Sequence, residues 1–257
     1  MLSKNQIKYI NSLKLKKFRD EHSCFIAEGN KIVLELMNSN IVVKQIYATS
    51  DFFRKGNIVN TIERFEIKEN ELDRISALNS PNEVLAVCEI PTYELNLRQL
   101  ETKLTLVLDD IKDPGNLGTI IRIADWFGIS SIICSTETVD AFNPKVVQAT
   151  MGSISRIKLH YTNLTEFLKT QTSSIKMPIY GALLDGLSIY SEKLSPEGLI
   201  VIGNESKGIS VGVQKFVTNN IRIPSFSHFK NNIGEAESLN AAIATSIICS
   251  EFRRRGF

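Results

Sequence analysis

The chain has 257 residues, of which 43% are hydrophobic and 23% charged, as expected for one large or two small globular domains. No apolar run reaches about 18 residues and the N-terminus lacks a signal peptide's hydrophobic segment, so we expect neither a membrane span nor secretion. The four cysteines form no CxxC pair and accompany only three histidines, which argues against a metal site. We therefore expect reduced, buried thiols and a cytoplasmic location. The cysteines are Cys24, Cys88, Cys134 and Cys249.

The net charge is only +2, but basic residues concentrate at the two ends of the chain. The first 19 residues hold six basic side chains and no acidic one, and an arginine run at 253–255 lies near the C-terminus. Clusters of this kind either bind the phosphates of a nucleic acid or form a solvated helix face, and charge alone does not decide between the two. The candidate RNA contacts in the N-terminal cluster are Lys14, Lys16, Lys17 and Arg19.

Helices and strands are predicted to alternate through residues 1–92, which indicates a small α/β domain. The helices are expected in NQIKYINSLKLKKFRDEHS, NKIVLELMNSN and ENELDRISAL, and the strands in CFIAEG, VVKQIYAT and EVLAVCEIP. Asn30 is expected to cap the second helix and Asn38 to end it. The polar residues 93–103 are interpreted as a linker.

Residues 104–257 predict a second α/β domain with a mostly parallel sheet. Its strands are expected in LTLVLDD, SSIICS, MPIYGALL, GLIVIG and NIRIP. The first of these is almost entirely apolar, which is typical of a strand buried in a parallel sheet. A final helix is expected from about Ala236 to Arg254.

The turn DPGNLG leads from the strand LTLVLDD into a helix. Gly128 is placed to end this helix, and Arg122 lies off its apolar stripe. The stripe consists of Leu117, Ile120, Ile121, Ala124 and Phe127. Because the turn lacks both the G-x-G-x-x-G fingerprint and the GK[ST] of a P-loop, it is either a plain turn or a site of another kind.

Two later strands also run into polar loops. In LIVIGNESKGIS, Glu205 follows an apolar strand and should lie at the carboxyl edge of the sheet, where open α/β proteins bind ligands. In IRIPSFSHFKNNIGEAESLNAAIATSII, Ser238 is the expected N-cap of the last helix. The core stripe of that helix is expected to be Leu239, Ala242, Ile243 and Ile247. The three loops hold no nucleophile–base pair and no metal-ligand set, so their chemistry is positioning and charge stabilisation on a bound cofactor.

The three stretches, taken in order, resemble the three motifs of the SpoU (TrmH) family of RNA ribose 2′-O-methyltransferases in the SPOUT superfamily. The matching segments are DPGNLGTIIRIAD, GNESKG, and IP followed by ESLNAAIA. The resemblance extends from about Leu104 to the C-terminus and includes FNPKVVQATMGSISRI. The first 92 residues resemble the L30e-like substrate-binding domain of many members, on the segment FIAEGNKIVLEL.

The resemblance implies a C-terminal domain folded as an α/β knot, a deep trefoil that no periodicity in the sequence reveals. It implies a homodimer whose active site is completed across the interface. It also implies S-adenosylmethionine (AdoMet) as cofactor, bound in the knot with its adenine held by backbone groups. The residues that match those positions are Gly203, Ile223 and Leu239, with Asn204 nearby.

The family gives a central role to the arginine of the first motif, here Arg122. Because arginine is a poor base, two roles stay open. Arg122 either becomes neutral locally and accepts the proton of the ribose 2′-hydroxyl, or stays charged and holds an RNA phosphate beside it. The residues expected to orient the ribose, Arg122 and the cofactor are Asn116, Glu205, Ser238 and Asn240. Glu205 could instead be a carboxylate that only stabilises a helix N-terminus.

The third motif departs from the family pattern. Ser225 stands where a methionine is usual, and the loop SFSHFKNNIGEAE is longer than in most members, which puts the shape of the cofactor pocket wall in question. His228 and Lys230 in this loop could contact RNA. The predicted activity is AdoMet-dependent 2′-O-methylation of a structured RNA, with ribosomal RNA favoured by analogy with L30e. The alternatives are a transfer-RNA 2′-O-methyltransferase and an RNA-binding or ribosome-assembly protein that has lost catalysis. A dinucleotide-binding enzyme is excluded, because the sequence lacks the fingerprint for dinucleotide binding.

Overall fold

The computed structural model describes residues 1–55, 62–80, 82–174, 177–226 and 238–255. The chain forms two compact units. Unit 1 consists of Met1–Thr92 and Asp140–Arg156, and unit 2 of Tyr93–Val139 and Ile157–Phe257. The shorter piece of unit 1 is thus flanked in sequence by parts of unit 2. No helix among the described residues has the length and apolar character needed to cross a membrane.

Unit 1 is built on a four-stranded mixed sheet with the order β1-β4-β2-β3. In chain order its N-terminal part contains α1 (Lys4–Ser12), α2 (Lys16–His22), β1 (Cys24–Glu28), α3 (Asn30–Met37), β2 (Val43–Ala48), α4 (Ser50–Lys55), β3 (Glu63–Glu66), α5 (Glu69–Asp73) and β4 (Val84–Glu89). Strands β1 and β2 each pair antiparallel with β4, while β2 and β3 are parallel. The predicted strands within residues 24–29, 42–49 and 83–91 are therefore confirmed.

Three details of unit 1 differ from the prediction. The expected single N-terminal helix is broken, because Leu15 is extended, with φ −101° and ψ 133°, and α2 begins after it. The N-cap of α3 is Gly29 and not the predicted Asn30. The φ of Gly29 is +94°, a conformation that favours glycine. Strand β3 was not predicted, because it is a short and largely exposed edge strand without apolar alternation. Asn38 ends α3 as expected.

Arg19 is an internal residue of unit 1. Only 2% of it is exposed, and its guanidinium bonds to three groups of the same unit. Nε lies 3.0 Å from Oδ2 of Asp140, and Nη1 donates to the carbonyls of Leu13 and Lys14 at 2.9 and 2.8 Å. The prediction that Arg19 contacts RNA is therefore wrong, because its charge is used to hold α2 and the Asp140 segment together.

The three lysines predicted beside Arg19 differ in their availability. The Nζ atom of Lys14 donates to the carbonyl of Ser76 at 2.6 Å, and burial lowers the pKa of Lys14. Lys16 forms an exposed ion pair with Asp20 at 2.7 Å. Lys17 is exposed and forms no ion pair with any residue that the structure describes. Of the four predicted RNA contacts, Lys17 is thus the one whose ammonium group is bonded to no residue that the structure describes.

Unit 2 is built on a six-stranded sheet with the order β10-β8-β9-β5-β6-β7, in which every neighbouring pair is parallel. In chain order the rest of the molecule contains α6 (Leu97–Leu100), β5 (Leu104–Leu108), α7 (Pro114–Trp126), β6 (Ser131–Ser135), α8 (Pro144–Thr150, in unit 1), β7 (Lys158–Thr162), α9 (Leu164–Ser174), β8 (Ile179–Ser188), β9 (Gly198–Ile202), α10 (Val211–Gln214), β10 (Asn219–Arg222) and α11 (Ala241–Arg254). The predicted parallel α/β sheet is confirmed. The predicted linker contains the short helix α6.

Helices α7 and α11 lie side by side and run in the same direction. The side chain of Asn240, before α11, donates to that of Asn116 in the first turn of α7. At the other end, Nε of Arg253 donates to the carbonyl of Phe127 at 2.7 Å. Gly128 then ends the α7 region with a φ of +64°, as predicted.

Helix α11 begins later than predicted, and Ser238 is not its N-cap. Asn240 caps it, because its Oδ1 accepts the backbone N–H groups of Ala242 and Ile243. The predicted core stripe is also wrong in part, since Leu239 is 48% and Ile243 54% exposed. The buried residues of α11 are Ala241, Ala242, Thr245, Ile248, Cys249, Glu251 and Phe252.

The C-terminal arginines are held by contacts within unit 2, not arrayed as a free phosphate-binding cluster. Glu251 accepts from Arg254 and Arg255 at 2.8 and 2.7 Å. Arg255 also donates to the carbonyls of Ile189 and Tyr190. The four cysteines are free and buried, as predicted, and burial raises the pKa of the Cys249 thiol to about 12.

We expect the substitution Arg19→Ala to lower the free energy of unfolding by about 3 kcal/mol, because it leaves a largely buried carboxylate without its partner. That carboxylate, Asp140, is only 16% exposed. Denaturant unfolding followed by circular dichroism measures the loss. The matched control is Lys16→Ala, which breaks an exposed pair and should cost less than about 1 kcal/mol. Equal losses in the two variants would contradict the assignment of Arg19 as an internal anchor.

We expect Glu251 to stabilise unit 2 in a pH-dependent way. The hydrogen bond from Arg254, and then that from Arg255, lowers the pKa of Glu251 from 4.5 to about 2. Because the folded-state pKa is depressed, the stabilisation is present above about pH 4.5 and is lost as the pH falls towards 2. The melting temperature of Glu251→Gln should therefore lie below that of the wild type at pH 7, and the difference should shrink between pH 4.5 and 2. A difference independent of pH would count against this ion-pair cluster.

Candidate functional site

Three side chains from three distant parts of unit 2 meet at the carboxyl edge of the parallel sheet. Nδ2 of Asn116 donates to Oε1 of Glu205 at 2.9 Å, and Oδ1 of Asn116 accepts from Nδ2 of Asn240 at 2.8 Å. Asn116 lies in the first turn of α7 after β5, Glu205 follows β9, and Asn240 precedes α11. All three are predicted site residues, and the structure brings them into one hydrogen-bonded chain, which we call the Asn–Glu–Asn chain.

The first turn of α7 positions Asn116. Asp113 caps the helix, because its Oδ1 accepts the backbone N–H of Asn116 at 2.7 Å, and Pro114 occupies the first helical position. Glu205 is partly exposed and lies outside any helix, in the loop between β9 and α10. Its second oxygen is 3.5 Å from the backbone nitrogen of Lys112. The carboxylate is thus held against the loop that leads into α7.

The loop that carries Glu205 is closed by its own backbone. The N–H and C=O groups of Asn204 pair with those of Gly208 at 3.0 and 2.9 Å. Gly203 must be glycine, since a Cβ there would lie 2.2 Å from the carbonyl carbon of Gly208. The backbone and side chain of Asn204 are therefore engaged within the protein, because its Oδ1 also accepts the N–H groups of Ser206 and Lys207. We assign Asn204 to shaping this loop.

Two acidic residues that the sequence analysis did not single out anchor the same loop. Buried Asp109 accepts the backbone N–H of Ser210 at 2.7 Å. Asp110, left-handed at φ +62°, accepts the side-chain amide of Asn204 through its carbonyl at 2.8 Å. The carboxylate of Asp110 also lies 2.5 Å from Nζ of Lys112. Their position in the sequence could have indicated this role, because two acidic residues directly after a buried strand need partners at the edge of the sheet.

The backbone at the predicted cofactor positions is open to a ligand. Among the described residues, the backbone groups of Gly203, Ile223 and Leu239 make no hydrogen bond. Gly203 and Ile223 are partly exposed, and Leu239 is exposed. Free backbone N–H and C=O groups at the ends of loops suit the edge of an adenine ring, because that edge has both hydrogen-bond donors and acceptors.

Two other predicted site residues lie apart from the Asn–Glu–Asn chain. Arg122 is exposed and makes no hydrogen bond or ion pair with any residue the structure describes. Six positions beyond Asn116, it lies about 9 Å further along α7 and points about 120° away around the helix axis. Ser238 is exposed and forms no hydrogen bond to another described residue. His228 and Lys230 lie outside the described residues, and no set of residues that could hold a metal ion occurs among the described ones.

Comparison with known proteins identifies relatives of both parts of the chain. The model of the SpoU rRNA Methylase family matches residues 103–250, and that of the MRM3-like substrate binding domain matches residues 4–86. The 23S rRNA (guanosine(2553)-2'-O)-methyltransferase RlmP of Bacillus subtilis is 29% identical over 254 residues, which are 98% of this chain and 97% of that protein.

Solved structures of similar proteins cover nearly the whole chain. One, from Porphyromonas gingivalis and assigned to the TrmH family of RNA methyltransferases, has a TM-score of 0.89 and 37% identity over 99% of both chains. Another, an AdoMet-bound rRNA methyltransferase from Sinorhizobium meliloti, has a TM-score of 0.85 and 30% identity over 100% of this chain and 97% of its own. With the family model matching more than half of the chain, and all three motif side chains joined at Asn116, this protein belongs to the SpoU rRNA methylase family.

Proposed function

We propose that this protein transfers a methyl group from AdoMet to a ribose 2′-hydroxyl in a structured ribosomal RNA. The observation that carries the proposal is the Asn–Glu–Asn chain, in which Asn116, Glu205 and Asn240 join the three motifs of a SpoU family member. Family membership, the full-length likeness to rRNA methyltransferases and the AdoMet-bound neighbour support it.

The residues present fit AdoMet through their backbone. Gly203, Ile223 and Leu239 would hold its adenine, since their backbone groups have no partner among the described residues. When bound, AdoMet supplies a methyl group activated by a positively charged sulfur. Asn204 serves indirectly, by keeping the loop after Gly203 closed.

The Asn–Glu–Asn chain orients the reacting groups. Asn116 bonds to both of its neighbours, so a ribose that contacts Glu205 or Asn240 meets side chains already held in place. We assign Arg122 the phosphate-clamp role, because its side chain is exposed and a guanidinium binds phosphate through two N–H groups. The proton of the 2′-hydroxyl then leaves to water.

We further propose a homodimer, built on the exposed apolar surface of α7 and α11. Trp126 is 85% exposed, and Leu239 and Ile243 are about half exposed. Tryptophan is enriched at protein interfaces, so a tryptophan exposed to this extent fits an interface contact. Arg122 stands one helical turn before Trp126, so we place it at the interface, where it would serve the site of the partner protomer.

In line with the family, we assign unit 2 a trefoil knot. The four free cysteines favour a cytoplasmic location.

Methyl transfer from radiolabelled AdoMet to ribosomal RNA, with 2′-O-methylation mapped by resistance to alkaline cleavage, tests the activity. Asn116→Asp should lower the transfer rate about a hundredfold or more, because it replaces a donor beside Glu205 with a second carboxylate. The isosteric control Asn220→Asp changes an exposed residue of the edge strand β10 and should leave the rate unchanged. If calorimetry detects no AdoMet binding, the protein is a non-catalytic RNA-binding protein, and modification of transfer RNA alone would overturn the substrate assignment.

The place of Arg122 can be tested by mixing two inactive variants. Arg122→Ala and Asn116→Ala should each abolish methylation. The melting temperature should change little for Arg122→Ala, since that side chain is exposed and makes no hydrogen bond or ion pair with a residue that the structure describes. If Arg122 serves the partner's site, co-expressing the two variants should restore about a quarter of wild-type activity, because half of the dimers are mixed and each has one intact site. No recovery would place Arg122 in its own protomer's site, and near-normal activity of Arg122→Ala alone would refute its central role.

A further inference from the structure

Unit 1 carries an open groove between its first two helices, which we call the α1–α2 groove. Its volume is about 280 Å³, and it is lined by Asn5, Lys8, Tyr9, Ser12, Phe18 and His22. The α1 residues recur at helical spacing, and Phe18 and His22 are one turn apart on α2. The groove is therefore formed by one face of each helix, and the break at Leu15 separates the two.

Three aromatic rings make up the apolar part of the groove. The rings of Tyr9 and His22 meet edge to face, with centroids 5.2 Å apart and an interplanar angle of 76°. Burial, and then the neighbouring Cys24 thiol, raises the pKa of the Tyr9 phenol, in keeping with a hydroxyl on the buried side. Phe18 is half-buried and His22 is exposed. Aromatic surface open to solvent on helices that are otherwise strongly polar calls for a ligand with a flat face.

Two lysines, one on each helix, lie at the groove. Lys8 lines it, and Nζ of Lys17 lies 5.7 Å from the centroid of the Phe18 ring. Neither lysine forms an ion pair with a described residue, whereas the neighbouring acid Asp20 is engaged by Lys16 at 2.7 Å. A ligand that combines a flat ring with negative charge complements this surface.

The groove also offers polar groups at its rim. The side-chain amide of Asn5 makes no hydrogen bond to another described residue, so it can both donate and accept. The hydroxyl of Ser12 donates to the carbonyl of Tyr9 at 2.6 Å, which leaves its oxygen free to accept. Groups of this kind pair with the Watson–Crick edge of a base.

We propose that the α1–α2 groove binds one unpaired base of the substrate RNA against the aromatic surface that Phe18 and His22 form together, with the flanking phosphates on Lys8 and Lys17. This proposal rests on the proposed function, since it takes RNA as the substrate. A paired base in an A-form helix could not occupy the groove, because both of its faces are already stacked. The groove therefore selects RNA that contains an unpaired nucleotide.

A fluorescent oligoribonucleotide tests the proposal directly. The probe is about ten nucleotides long, within the site size of single-strand binders, and carries 2-aminopurine at its centre. The comparison is the same strand in a fully paired duplex. The full chain should quench the single-stranded probe and bind it more tightly than the duplex. Phe18→Ala and His22→Ala should each weaken binding by about five- to 150-fold, the range for loss of one stacking contact.

Matched variants separate stacking from charge. Phe18→Tyr keeps a ring and should retain affinity. Lys8→Ala should weaken binding and flatten its salt dependence, whereas Lys31→Ala, which removes an exposed lysine on α3, should do neither. If circular dichroism shows that Phe18→Ala does not fold, the His22→Ala and Lys8→Ala variants, whose side chains are exposed, test the proposal in its place. Equal affinity for the probe and the duplex, or unchanged affinity of the His22 and Lys8 variants, would overturn the proposal and leave the groove to a protein partner.

Cofactor binding distinguishes this failure from failure of the proposed function. AdoMet binding, measured by calorimetry on the same variants, should be unchanged, because the groove lies in unit 1 and the cofactor residues lie in unit 2. Normal AdoMet binding with unchanged RNA affinity rejects only the groove. Absence of AdoMet binding in the wild type rejects the proposed function itself.

Discussion

The side chain of Asn116 is the contact on which the candidate site depends. An amide presents a donor and an acceptor on opposite sides, and both are used, towards Glu205 and from Asn240. A carboxylate at position 116 would face Glu205 with like charge, and an aliphatic residue would leave two polar partners unsatisfied. One neutral side chain thus keeps together loops that are about 90 and 120 residues away along the chain.

The parallel sheet brings these loops to the same edge. Strands β5 and β9 are adjacent and parallel, so the acidic pair after β5 and the closed loop after β9 emerge side by side. Asp109 and Asp110 then fasten the second loop through Ser210 and Asn204. Parallel packing of α7 and α11 brings the third loop to the same place. The site is therefore a consequence of strand order, with side chains that lock it locally.

The basic residues of unit 1 show how one residue type takes different roles. Arg19 is buried and neutralised by Asp140, the ammonium of Lys14 is bonded to a backbone carbonyl, and Lys17 remains accessible. A count of positive charges cannot separate these cases, since each depends on which distant segment packs against the side chain. In unit 1 the partner of Arg19 comes from a segment about 120 residues away.

The sequence by itself determined the α/β class and most of the strands, because apolar periodicity is a local property. The three motif residues were predicted through the resemblance to the SpoU family. The sequence misplaced the start of α11 and part of its core stripe, since Ser238 and Asn240 are both good capping residues and only Asn240 has its side chain held by Asn116. It also could not show that Arg122 stands apart from the Asn–Glu–Asn chain, or that the backbone and the side-chain oxygen of Asn204 are hydrogen-bonded within its own loop. Those facts were decided by the tertiary structure, because a hydrogen bond between residues far apart in sequence exists only once the sheet has set their distance.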